Sequence, residues 1–154
     1  MTAAASAAQA LAERVVDGML ATDAMSRWLG LEVLEVAPRS CSCRMTVRPE
    51  MVNGFGVAHG GIVFTLADSA FAFACNTQGT VTVSIENSIT YPAAVHPGDV
   101  LTAVAEEEAS SNRLGYYRVE VRNQREEVVA LFRGTAYRTT RLHATDVPGN
   151  SAHA

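Results

Sequence analysis

Residues 60–75, GGIVFTLADSAFAFAC, contain no proline and carry apolar side chains on every side of a helical wheel. A helix of that kind has to be covered all round, so the rest of the chain must wrap it. The segments downstream suit that task. Residues 80–91, 100–109, 115–122 and 127–137 read as strands, divided by turn residues at Pro97-Gly98-Asp99, Ser111-Asn112 and Asn123-Gln124. Such spacing predicts antiparallel pairing. Two further strands precede the helix, at 31–36 and 40–48, parted by Pro38. In the second of these, Cys41, Cys43, Met45 and Val47 alternate with Ser42, Arg44, Thr46 and Arg48, which makes the cysteines small core residues. Asn76 and Gly79 supply the stop after the helix. The expected architecture is α+β, an antiparallel sheet wrapped around one long central helix, with the remaining sheet edge paired to a second copy of the chain.

A length of 154 residues suits one domain. Within it we expect a helical lead-in over 1–30, where Leu11, Val15, Val16, Met19 and Leu20 recur near helical spacing, a main domain over 31–140, and a flexible tail over 141–154. Apolar residues form 48% of the chain and charged residues 18%, a balance that supports a compact fold rather than disorder. The net charge of −4, with no lysine and arginine cluster, argues against nucleic acid as a partner. Glu13, Arg14 and Asp17 break up the N-terminal segment, and the longest apolar run, 62–75, is too short for a membrane span and holds Asp68. A cytoplasmic protein with no membrane partner is expected. Cys41, Cys43 and Cys75 are an odd set that reads as free thiols, and no second Cys/His pair stands near Cys41-Ser42-Cys43 to make a metal site.

Several stretches share a further pattern. Asn53, His59-Gly60-Gly61, Phe64-Thr65-Leu66-Ala67-Asp68, Ala70 to Asn76, Tyr91-Pro92, Pro97-Gly98-Asp99 and Ala130-Leu131-Phe132-Arg133-Gly134 together resemble the hotdog-fold acyl-CoA thioesterases. Among these they are most similar to the phenylacetic-acid-degradation thioesterases, which act on hydroxyphenylacetyl-CoA and related aryl-acetyl thioesters. The resemblance implies a homodimer as the catalytic unit, sheets joined edge to edge, often a dimer of dimers, with active sites at the interface. It implies an acyl-CoA substrate and no separate cofactor, since CoA is part of that substrate. By the same resemblance Asp68 is the catalytic carboxylate, Gly60 gives a backbone N–H to the thioester carbonyl, and Asn53 holds the carbonyl or the attacking water. His59 and Gly61 have supporting roles, and Ser84 matches a hydroxyl that positions water in some relatives.

The residues support this chemistry on their own terms. A helix that begins at His59-Gly60-Gly61 directs unpaired N–H groups and a partial positive charge outward, and the glycines let a carbonyl approach. A thioester needs that polarisation and an attacking oxygen, because a thiolate leaves without strong acid help. Asp68 can attack directly or deprotonate water. Gly60 and Asp68 are separated by ~12 Å if both lie in one straight helix, so one chain cannot bring both to the same carbonyl. Catalysis is therefore expected to require the dimer.

Other readings stand beside this one. Asp68 could be a structural carboxylate, His59 a helix cap, and Asn53-Gly54 a plain turn. Phe71 and Phe73 suit the core, and Glu106-Glu107-Glu108 a solvated face. A non-catalytic acyl-CoA-binding module, a hydratase and a thioesterase for medium-chain acyl-CoA are the competing functions. The hydratase suffers because His59 and Asp68 fall on different faces of the helix. Arg44, Arg48, Arg113, Arg118 and Arg133 are candidates for the CoA phosphates.

Overall fold

A computed structural model describes residues 2–144. Helix α1 spans Ala3–Thr22 and α2 Ala24–Leu29. Asp23 separates them, its side chain accepting from the Ser26 N–H at 3.0 Å, and Gly30 ends α2 with φ at 67°, a backbone angle that glycine adopts without strain. Ala12, Val15 and Val16 form the buried side of α1, and Val16 and Leu29 join the same core as the sheet. The lead-in thus packs on the main body.

Strands β1 (Glu32–Ala37) and β2 (Ser40–Thr46) come next, then helix α3 (Gly60–Asn76), then β3 (Thr80–Thr90), β4 (Val100–Ser110), β5 (Leu114–Arg122) and β6 (Val128–Leu142). The strands form one sheet in the order β1-β2-β4-β5-β6-β3, with every pair antiparallel. Because α3 lies between β2 and β3 in sequence, those strands end up apart and the chain crosses the sheet on the helix. There α3 packs on β2, β4, β5, β6 and β3, the wrapped arrangement expected from its composition. Phe71 meets Tyr117 and Phe132 with ring centroids 5.4 and 5.7 Å apart, and Phe71 and Phe73 are fully buried, as core residues should be. Cys41 and Cys43 are also core, with sulfurs 3.9 Å apart.

Two expectations need correction. The helix is not covered all round: Gly61 is exposed and Thr65, Asp68, Ser69 and Ala72 are only half-buried, a stripe at helical spacing that the sheet of one chain leaves open. Strand β6 also runs past Tyr137 to Leu142. Its end, Thr-Thr-Arg-Leu, has no alternation of its own and is held by β3, with Thr80 opposite Leu142 and the Thr139 hydroxyl donating to the Val81 carbonyl at 2.6 Å. Of the expected tail, 145–154 lie outside the described residues.

Strand β3 is a sheet edge, and it is irregular. Ser84 pairs with Ala136 and Glu86 with Thr135, so Ile85 is an extra residue, a β-bulge. Val83 and Ile85 are 45% and 57% exposed on this edge.

Candidate active site

The loop before α3 is built around Asn53. Its side-chain carbonyl accepts from the Phe55 N–H at 2.9 Å and its backbone closes on Val57 and Gly56, the latter at φ 77°. The turn reading of Asn53 is therefore correct for its oxygen, while its amide N–H2 has no partner among the described residues. Backbone bonds from Ala58 to Val95 and from His59 to Met51 then fix where α3 begins.

At that start, His59 is the N-cap. Its Nδ1 accepts the Gly61 N–H at 3.0 Å, so Gly61 is already satisfied and this histidine nitrogen has no proton to give. The Gly60 N–H has no acceptor among the described residues. On its other side Gly60 is held by Tyr91, whose hydroxyl donates to the Gly60 carbonyl at 2.8 Å. A β-carbon at Gly60 would meet the Tyr91 ring at 3.2 Å, so the residue's lack of a side chain is what admits that contact. Gly60, Val63, Val57, Ala58 and Tyr91 border a cavity of about 300 Å³. A depression of about 360 Å³ with Ser88, Arg118, Leu131 and Arg133 lies on the sheet face away from α3 and touches neither Gly60 nor Asp68.

Asp68 lies two turns along α3, ~12 Å from Gly60 at 1.5 Å per residue. Burial pushes its carboxyl above the ordinary value, and a hydrogen bond from Asn87 pulls it part of the way back. That bond runs from Asn87 Nδ2 to Asp68 Oδ1 at 3.1 Å, and the Ser84 hydroxyl reaches Asn87 Oδ1 at 3.0 Å. One chain therefore carries two separate groups: Asn53, His59, Gly60 and Gly61 at the helix start, and Asp68 with Asn87 and Ser84 further along. Sequence reasoning missed Asn87 and the role of Tyr91. The Tyr91-Pro92 pair signalled the second, whereas nothing in the pattern of β3 announces the bulge that turns Asn87 inward.

Arg44, Arg48, Arg118 and Arg133 are each paired with a glutamate, Glu32, Glu50, Glu106 and Glu108 respectively, and Arg113 touches the Arg138 carbonyl. Arg48 also stacks 5.0 Å over Trp28. None of the five borders the cavity at Gly60. No group of three metal-ligating side chains occurs among the described residues, and no helix among them is long and apolar enough to cross a membrane.

One antiparallel sheet wound on one central helix is the frame of the hotdog fold, and comparison gives the class of protein. Residues 55–130 match the Thioesterase superfamily, and with the relative described next the chain belongs to it, with the hotdog fold. It is similar to the acyl-coenzyme A thioesterase PaaI of Escherichia coli K12, with 38% identity over 78% of this chain and 86% of the relative. The solved structure of the E. coli PaaI protein, from the phenylacetic acid degradation operon, superposes with a TM-score of 0.85 over 87% of this chain and 97% of that one, at 35% identity. A hypothetical thioesterase protein of Streptococcus pneumoniae TIGR4, solved with coenzyme A, is more distant, at 26% identity and a TM-score of 0.70 over 73% and 88% of the two chains.

Proposed function

We propose that the protein hydrolyses aryl-acetyl-CoA thioesters, phenylacetyl or hydroxyphenylacetyl, to the free acid and CoA. The observation that carries this reading is Asp68, a carboxylate half-buried on the open stripe of α3 in a chain whose Gly60 N–H is unpaired among the described residues. The thioester oxygen takes the Gly60 N–H, and the partial positive charge of the helix start favours the oxyanion that develops there. Asp68 either removes a proton from water, whose oxygen bonds to the carbonyl carbon, or attacks that carbon itself to give an anhydride that water then opens. In both cases the C–S bond breaks and CoA leaves as the thiolate, later taking a proton. Asn53 offers its amide to the carbonyl or the water, and His59 fixes the first turn through Gly61. Water is the only co-reactant, and CoA enters as part of the substrate rather than as a cofactor.

The separation of Gly60 from Asp68 supports a site shared by two chains in which α3 of one subunit runs against α3 of the other. The open stripe on α3 and the free β3 edge are the surfaces such a homodimer would cover, and a dimer of dimers is compatible with it. We assign the reaction to the cytoplasm. The similarity to a PaaI protein from a phenylacetic acid degradation operon favours an aryl-acetyl group over a straight medium-length chain.

Steady-state release of free thiol from phenylacetyl-, benzoyl- and straight-chain acyl-CoA tests the reading. Phenylacetyl-CoA is expected to be cleaved with the highest kcat/KM, and Asp68→Asn and Asp68→Ala are expected to lose at least about a hundredfold. Full activity in both variants sinks the mechanism, and absence of thiol release from every thioester would favour a binding module.

A further inference from the structure

The inner face of β3 changes parity at its bulge. Thr82 and Ser84 face α3 before Ile85, and Asn87 and Ile89 are the less exposed residues after it. With no extra residue, Glu86 would stand opposite Gly134, the position that Asn87 now occupies. Gly134 belongs to the face against α3, since a β-carbon there would fall 2.7 Å from the Phe71 ring. An unbulged β3 would thus aim a second carboxylate at Asp68. The extra residue replaces it with an amide and keeps Ser84 on the same face, three positions back.

We propose that Asn87, oriented by Ser84 across the bulge, is the positioning residue that holds the Asp68 carboxylate for attack. This deepens the function proposed above and rests on Asp68 as the reacting group. An asparagine amide can present its oxygen or its nitrogen, and only the nitrogen suits a carboxylate. The Ser84 hydroxyl has one proton to donate and gives it to Asn87 Oδ1, which leaves Nδ2 facing Asp68. Anchoring Oδ1 leaves Oδ2, which has no partner among the described residues, as the atom for water or for the carbonyl carbon. The anchor sits on a strand rather than a loop, so the carboxylate is held by two elements at once.

Beside burial, the Asn87 amide is the group that acts on this carboxylate. Cys75, on the same helix, is the ionisable group that feels the Asp68 charge, and burial pushes its thiol up to about 12, so it stays neutral where the enzyme works. Tyr117 and Glu107, with Arg138, lie under the helix near Cys75, and none of them moves Asp68. Glu86 is exposed.

The test is the pH dependence of kcat and kcat/KM for thiol release by the full chain, for wild type, Asn87→Ala, Asn87→Asp, Ser84→Ala and Asp68→Asn. With the donor gone, burial acts on Asp68 unopposed, so the acid limb of Asn87→Ala is expected to move to higher pH by about half a unit to one unit. Its kcat should fall about tenfold, the scale of one hydrogen bond to a charged group, while KM changes less than about twofold. Asn87→Asp should move the limb further, and Ser84→Ala in the same direction by less. Ser84 is exposed, so its variant tests the idea even if Asn87→Ala folds poorly. Acid limbs of Asn87→Ala and Ser84→Ala that superimpose on wild type, with Asp68→Asn inactive, overturn the positioning role alone. An active Asp68→Asn overturns the catalytic reading and this role with it.

Discussion

Asp68 carries its cost in the folded state. A carboxyl raised by burial binds its proton more tightly in the native than in the unfolded chain, so stability declines as pH rises from the ordinary aspartate value through the raised one. At neutral pH the ionised group therefore works against the fold. Asp68→Asn is expected to melt at higher temperature than wild type at pH 7, with the difference shrinking as pH falls below the ordinary aspartate range. Thermal melts at several pH values check this, and an equal or lower Tm at pH 7 would mean that the carboxylate is fully compensated. Residue by residue, the proposed site was partly legible. A carboxylate in an apolar run and a His-Gly-Gly helix start are visible in sequence because charge and glycine have few reasons to be there. Asn87 was not, because its inward direction depends on Ile85 being unpaired, a property of strand register that no local pattern encodes.

Among the elements, α3 and β2 were readable because each carries its period plainly, one apolar all round and the other alternating. The far end of β6 was not, because Thr139 to Leu142 form a strand only through what β3 offers them. The stripe left open on α3 departs from the expected full coverage for a related reason: the described residues of one chain hold no further strand to place there. Val83 and Ile85 stand exposed on the β3 edge. An unprotected edge with apolar side chains invites pairing, and a charge blunts it. Ile85→Lys, at an unpaired bulge residue, should leave the monomer folded, shift the oligomer toward monomer in size-exclusion chromatography with light scattering, and reduce thiol release in proportion. An unchanged oligomer, or a fully active monomer, would rule out β3 as the joining edge.

For the whole molecule, the relevant quantity is the distance between the two functional groups along α3. With the site shared as proposed, dilution should lower specific activity once the proposed dimer dissociates. A mixing experiment is more direct: Asp68→Asn and a Gly60 variant such as Gly60→Val are each expected to be inactive, and each mixed dimer to recover one of its two sites, about half of the wild-type activity per dimer. Recovery fails if each chain uses its own Gly60 and Asp68. The lead-in helices bear on this scale too, because Val16 and Leu29 share the central core, so removing α1 and α2 would uncover the sheet as well as shorten the chain.

The extra residue in β3 acts like a shift of reading frame within a strand. Everything before Ile85 is set in one phase and everything after it in the other, and the proposed active site reads both. The outer face of β3 can therefore accept many exchanges of side chain, whereas losing or gaining one residue between Thr82 and Asn87 would rewrite which group meets Asp68 without altering a single residue of α3. Length, rather than identity, is the sensitive variable in that segment.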